Sequence, residues 1–389
     1  MANRMSSSSS SPISRWLRGL ALLALVLAAT LRAAPAPRIV AVGDVHGAGD
    51  AFASILQKTG LIDAQKRWTG GTAILVQTGD LLDRGQDVRQ ILDLLMALES
   101  QASAAGGRVH SLLGNHELMN LIGETRDVAP DLYRRFADGR SEQKREDAFQ
   151  TASKIAGGSA IDKAEWMAAH PLGYVEYREA LSASAPYGKW LRSKPIIADV
   201  GDTIFMHGGI NLDFTSESVD NINKRVRKEL TEFEDGFRWL QQHDLAAPFS
   251  TLGEIARAAQ DEWAKLDAKR KRDALTEEDV NEAKLLLPIL KIDASAILNP
   301  NGPLWFRGYS TWTDQEGSER MPALLKKYKV KRFVTAHTPQ PSGQITTRFG
   351  NTLYLIDTGM LNGKFYPGGR PSALEINGEK VTPIYLEQK

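Results

Sequence analysis

Gly43-Asp44-Val45-His46-Gly47, Gly79-Asp80-Leu81-Leu82-Asp83-Arg84-Gly85 and Gly114-Asn115-His116-Glu117 decide how this 389-residue chain folds. Each stretch follows an apolar run of strand length, at residues 38–42, 73–77 and 109–113. Asp80 stands 36 positions after Asp44, and Asn115 stands 35 after Asp80. That interval is the length of one strand–helix–strand crossover. Three successive parallel strands therefore carry Asp, His, Asp and Asn to one edge of a sheet. In open α/β sheets this edge, outside the carboxyl ends of the strands, is where ligands bind. Oxygen and imidazole donors gathered there predict a divalent-metal site, with two ions as the expectation.

Two later runs add donors. Residues 203–207 end in His207, before Gly208-Gly209, and residues 332–337 end in His337, before Thr338-Pro339. Four of the seven histidines, His46, His116, His207 and His337, thus stand at strand ends beside glycine or a turn residue. His110, His170 and His243 lack that setting and read as ordinary solvated or hydrogen-bonded side chains.

Composition narrows the chemistry. Hydrophobic content of 42% with 24% charged residues belongs to a soluble globular protein. The chain has no cysteine, which excludes disulfides, thiolate zinc sites and a cysteine nucleophile. Arg4, Arg15 and Arg18 precede an uncharged apolar stretch at 19–31, followed by Ala34-Pro35-Ala36. This pattern predicts a secretory signal over residues 1–36, and hence an exported, periplasmic protein. An uncleaved anchor is the alternative, and only then is a membrane a partner. Residues 1–36 hold four arginines and no acid, so the net charge of +1 becomes −3 without them. A mildly acidic remainder, 37–389, argues against a nucleic-acid partner.

Between the motifs, residues 86–100 carry the apolar stripe of a helix on a sheet, with Val88, Ile91, Leu92, Leu94, Leu95 and Leu98. Helical insertions are expected at about 123–192 and 212–300, the second as solvated helices of alternating charge. Residues 195–200 and 203–206 predict a hairpin around Gly201-Asp202. Strands at 344–348, 352–356, 372–376 and 381–386 are expected to join that hairpin in a second sheet. The predicted fold class is α/β, a four-layer α/β/β/α sandwich with helical insertions.

These motifs, in this order over about residues 38 to 360, resemble the calcineurin-like metallophosphoesterases, and within them the phosphoprotein phosphatase branch. The eukaryotic Ser/Thr enzymes carry Ser-Ala-Pro-Asn-Tyr where this chain has Ile356-Asp357-Thr358-Gly359-Met360. That segment, with Gly302-Pro303-Leu304-Trp305-Phe306-Arg307-Gly308-Tyr309, is more similar to the bacterial, Shewanella-like phosphatases. The subgroup is associated with phosphotyrosine as well as phosphoserine and phosphothreonine. The resemblance implies two divalent metals, manganese first, with iron or zinc also suited to the donor set. Asp44 and His46 would hold one ion, Asn115, His207 and His337 the other, and Asp80 would bridge them. A metal-bridging hydroxide would attack phosphorus in line, without a phosphoenzyme.

His116 is then expected as general acid, oriented by Asp83, and Arg84 and Arg307 as phosphate binders. For each supporting residue a plainer role is weighed beside these. Asp83 could cap the following helix, Arg307 could serve a structural salt bridge, and Asp357 reads as structural. Glu117 is expected to support the helix start after Asn115. Trp305, Phe306, Tyr309 and Trp312 could frame a flat leaving group or pack in the core. The function expected is a dimetal phosphomonoesterase acting on phosphorylated protein, phosphotyrosine favoured. The alternatives are a hydrolase of dinucleoside polyphosphates or other small phosphoesters, and a catalytically silent, metal-stabilised binding protein.

Overall fold

The structure, a computed structural model, describes residues 36–157, 161–211, 214, 216–363 and 365–387. The segment read as an export signal lies outside the described residues.

The strands β1 (Ile39–Val42), β2 (Ile74–Gln77) and β3 (Arg108–Ser111) run parallel and adjacent, with Val42 opposite Gln77 and Gln77 opposite Ser111. Their carboxyl ends are therefore level. Helices Gly49–Lys58 and Val88–Ala104 make the crossovers, and the second buries all six residues of the predicted stripe. Within β1, Val40 and Val42 enter the core on the helix side. Ile39 and Ala41 enter a smaller core with Phe205, Val334, Tyr354 and Leu374. That alternation places β1 between a helical layer and a second sheet.

The second sheet contains β4 (Ile197–Val200), β5 (Thr203–Met206), β6 (Arg332–Thr335), β7 (Thr346–Arg348) and β8 (Leu353–Leu355), in the order β4-β5-β6-β8-β7. β4 and β5 form the predicted antiparallel hairpin, while β5, β6 and β8 are parallel. His207 directly follows β5 and His337 comes two residues after the end of β6, so both sheets deliver residues to the same end.

One expectation needs correction. The last two strands, β9 (Ser372–Asn377) and β10 (Lys380–Tyr385), extend the first sheet rather than the second. β9 pairs antiparallel with β1, Ile39 opposite Ile376. The reason is hydrogen-bond satisfaction. β1 is fully buried, so its edge opposite β2 requires a partner for its backbone groups.

Both insertions are helical. The first holds five helices between Pro130 and Arg192, including Tyr174–Ala180. The second holds Val219–Gln242, Leu252–Arg270 and Glu277–Leu290. The charge alternation there marks one face only. Ile222, Val226, Leu230 and Phe233 are buried, while Lys224–Asp220 and Lys228–Glu232 pair on the exposed side.

The motif loops are tied to one another by a single buried side chain. Glu117 is fully buried, and its carboxylate accepts the N–H groups of Gly114 (2.7 Å), Asp80 (2.8 Å), Leu81 (2.8 Å) and Leu82 (3.1 Å). It caps its own helix, as expected, and also fastens the turn after β2 to it. Two glycines let the first two loops touch. Gly47 has φ of +70°, and a Cβ there would lie 2.4 Å from the carbonyl carbon of Gly85. Replacing Glu117 by alanine would strand several buried donors, so we expect a loss of about 3 kcal/mol or more. Urea unfolding reads this as a lowered midpoint at unchanged m-value; an unmoved midpoint would contradict the role.

Candidate functional site

Strain marks where the loops converge. His46, Asp80, Asp83, Arg84 and His337 all have positive φ, between 46° and 69°. Non-glycine residues rarely adopt that region, and such strain persists where surrounding contacts impose it. Here the contacts are visible: the N–H groups of Val45 and His46 both donate to the Asp80 carbonyl at 2.9 Å.

Asp80, Asn115, His207 and His337 come together on one side. His207 donates from Nδ1 to the Thr78 carbonyl (3.1 Å), and His337 from Nε2 to the Trp305 carbonyl (3.2 Å). Carbonyls only accept, so in the neutral rings the inward nitrogens, His207 Nε2 and His337 Nδ1, carry lone pairs. They lie 3.0 Å apart, with Asn115 Oδ1 2.9 Å and Asp80 Oδ2 3.2 Å from His207 Nε2. Four acceptors face one another with no donor among them. A cation between them removes that repulsion, and the donor set suits a first-row transition metal.

On the other side, His46 donates from Nδ1 to the Leu82 carbonyl at 2.9 Å, which leaves the lone pair on Nε2. That atom lies 3.5 Å from Asp80 Oδ2 and 3.8 Å from Asp44 Oδ2. Burial pushes His46 and His337 well below the ordinary histidine range, so both are neutral donors. Burial, then the Asp357 and Asp80 charges, push the Asp44 carboxyl well above the carboxylate range. Asp357 is fully buried against it: Oδ1 accepts the Gly359 N–H at 3.0 Å, whereas Oδ2 has no hydrogen-bond partner among the described residues. Two carboxyls in contact call for a shared proton or a cation, a second fit to a metal. Burial opposes charge on Asp80 as well, yet positive charge on the rings beside it, His207 and then His116, holds it well below the usual range, the same stabilisation a cation supplies where His207 is neutral.

His116 differs from the other three in its partner. Nδ1 lies 2.5 Å from Asp83 Oδ2, a carboxylate rather than a carbonyl. Burial alone would lower its pKa, but the Asp80 charge and the Asp83 hydrogen bond push it up to about 9. His116, with His46 and Asp80, is close enough to share a metal. Its charged form, however, has no lone pair to offer a metal. Asp83 is spent on His116 and Asn120 and caps no helix, so the alternative weighed for it does not hold.

The site opens into a cavity of about 360 Å³ lined by Asp80, Asn115, His116 and His337 together with Arg84, Arg126, Arg307, Trp305, Phe365 and Tyr366. Arg84 lies 2.7 Å from His46 Nε2 and 3.2 Å from His116 Nε2, and it donates to the Tyr366 hydroxyl. Arg307 donates to the His337 carbonyl (2.9 Å) and Thr338 Oγ1 (3.0 Å). Among the described residues it has no carboxylate in ion-pair range. The aromatic cluster divides. Tyr309 and Trp312 are buried and pack with Phe306, while Trp305 meets His337 edge-on at the cavity wall.

Sequence reasoning missed Tyr366, whose ring stacks on His46 with centroids 5.9 Å apart. Its signal was its place in a glycine-rich turn, 359–369, following β8. It also missed Asn120, four residues after His116, and Arg126. His110, His170 and His243 stay outside the site: His110 lies on β3, His170 stacks on Trp166, and His243 packs at a tilt against Trp239.

Residues 37–341 match the family of calcineurin-like phosphoesterases. The "Shewanella-like protein phosphatase 2" of Arabidopsis thaliana is 32% identical over 213 residues, 51% of this chain and 53% of that relative. The match thus spans about half of that relative's length. The "Shewanella-like protein phosphatase 1" of Plasmodium berghei (strain Anka) is 26% identical over 352 residues, 90% of this chain and 74% of the relative. In fold, the chain resembles the cold-active protein-tyrosine phosphatase of a psychrophile, Shewanella sp. The TM-score is 0.56 at 24% identity, covering 90% of this chain and 81% of that one. With the family matched over most of its length, and acceptor clusters fit for metal at the sheet edge, this chain belongs to the calcineurin-like phosphoesterases and is a metal-dependent phosphoesterase.

Proposed function

We propose that the protein is a two-metal phosphomonoesterase acting on phosphorylated protein, with phosphotyrosine favoured. The observation that carries this reading is the convergence of one charged histidine, three guanidinium groups and two metal-fit acceptor clusters on a single cavity. Asp44, His46 and Asp80 would hold one cation, and Asp80, Asn115, His207 and His337 the other. Asp80 Oδ2 stands between His46 and His207, the position a bridging carboxylate needs. Bound there, divalent cations, with manganese our first expectation, polarise phosphoryl oxygens and lower the pKa of water towards about 7.

The chain's own groups do the rest. Arg84 and Arg307 offer planar donors to the phosphate oxygens and orient it for in-line displacement. His116 Nε2 protonates the departing oxygen while Asp83 holds Nδ1. Trp305, Phe365 and Tyr366 give the cavity flat walls, which favours the phenol ring of phosphotyrosine over a serine side chain. The names of the relatives, both protein phosphatases, support a protein substrate. The Asp83–His116 pair argues against a silent binding protein, because holding metal does not require it. Export rests on residues 1–36 and is proposed on that sequence alone.

His116 must be charged to act, so kcat is expected to fall on the alkaline side. The limb lies at or below about 9, because cations on Asp80 offset the charge that raises the pKa. His116→Asn removes the limb and lowers kcat on the order of 10²–10⁴-fold with metal retained. A variant of near-wild-type activity towards an alkyl phosphate would remove the general-acid role. For the substrate, metal-stripped enzyme resupplied with Mn²⁺, Fe²⁺ or Zn²⁺ is assayed on phosphotyrosine, phosphoserine and phosphothreonine peptides and a dinucleoside tetraphosphate. The highest kcat/KM should fall on the phosphotyrosine peptide; preference for the tetraphosphate would overturn the reading.

A further inference from the structure

Asp83 is itself held. Its Oδ2 meets His116 Nδ1, and its Oδ1 accepts a hydrogen bond from Asn120 Nδ2 at 2.8 Å. The same Nδ2 donates to the His116 carbonyl at 2.9 Å. The Asn120 Oδ1 accepts the Tyr177 hydroxyl at 2.8 Å, and Arg178 Nη1 donates to the Asn120 carbonyl at 2.5 Å. Asp83, Asn120 and Tyr177 are all fully buried. Asn120 lies four residues after His116 in helix Asn115–Leu121, so the two side chains share a face. Tyr177 comes from a separate element, helix Tyr174–Ala180 of the first insertion.

We propose that Asn120 and Tyr177 are positioning residues that act through Asp83 to aim His116 at the leaving oxygen, which makes the first insertion part of the turnover machinery. The inference rests on the general-acid reading above. Its physical basis is the direction of the Asn120 amide. Reversed, its oxygen would face Asp83 Oδ1 and the His116 carbonyl, two acceptors. A hydroxyl donor on the far side fixes the productive orientation. With one oxygen anchored by Asn120, the Asp83 carboxylate cannot swing, so Oδ2 keeps its hold on Nδ1 and Nε2 keeps facing the cavity. In the step served, water forms the new bond to phosphorus and releases one proton to solvent, from which His116 is later recharged. The bond from phosphorus to the leaving oxygen breaks with its electron pair, and the Nε2 proton moves to that oxygen.

The test uses the full-length, metal-loaded enzyme and a series of aryl and alkyl phosphates of rising leaving-group pKa. Tyr177→Phe deletes one oxygen, and Asn120→Ala deletes the amide. For poor leaving groups both are expected to lower kcat on the order of tenfold, with KM and metal content unchanged. The loss should shrink for p-nitrophenyl phosphate, which departs without protonation. Added to His116→Asn, neither change should cost anything more. A loss equal across the series, or one that multiplies with that of His116→Asn, would overturn the proposal. If Asn120→Ala fails to fold, Tyr177→Phe alone decides. Failure of the underlying general-acid reading would show separately, as a His116→Asn enzyme whose own loss does not depend on the leaving group.

Discussion

The buried carboxylate of Glu117 and the four N–H groups it binds hold the rest of the site in place. Those donors come from two segments far apart in sequence, the turn after β2 and the helix start after β3. The turn fastened this way carries Asp80, Asp83 and Arg84, all at positive φ. Backbone in that region relaxes unless contacts over-determine it. Glu117 supplies those contacts from below, and the close approach of Gly47 to Gly85 supplies them from the side. The strained loops present side chains to the cavity because the backbone beneath them is pinned.

Charge sets the second constraint. Asp44, Asp80, Asp83, Glu117 and Asp357 are buried close to one another. Unpaired carboxylates in such a place are costly. Each has a different answer: backbone donors for Glu117, a histidine and an amide for Asp83, and for Asp44, Asp80 and Asp357 a fit to cations. The partner of each histidine sorts it by role. A carbonyl on the far nitrogen and a pKa lowered by burial leave a neutral ring with an inward lone pair, as in His46 and His337. A carboxylate favours the charged ring, as in His116.

Much of this was legible in the sequence because it is local. The even spacing of the three motifs follows from the length of a crossover, and apolar runs ending in His207 and His337 name the other two strands. The placement of β9 and β10 was not legible. Their alternation gives a half-buried strand, but which sheet receives it depends on the open edge of β1, a property of the assembled fold. Asn120, Tyr177 and Tyr366 escaped for the same reason. A tyrosine 57 positions from its partner asparagine carries no pattern that announces the contact. Glu117 was read as a helix cap because its link to Gly114 is local; its other three bonds cross to a different loop. Asp357 read as structural because nothing in a strand–turn pattern places it against Asp44.

The central claim is that Asp80 joins two cation sites into one. Elemental analysis of the purified protein, with its Asp80→Asn variant beside it, measures that most directly. Two divalent ions per chain in the parent, and loss of that pair in the variant with the fold intact by circular dichroism, are predicted. Two ions still bound to Asp80→Asn, or a parent that holds only one, would contradict it.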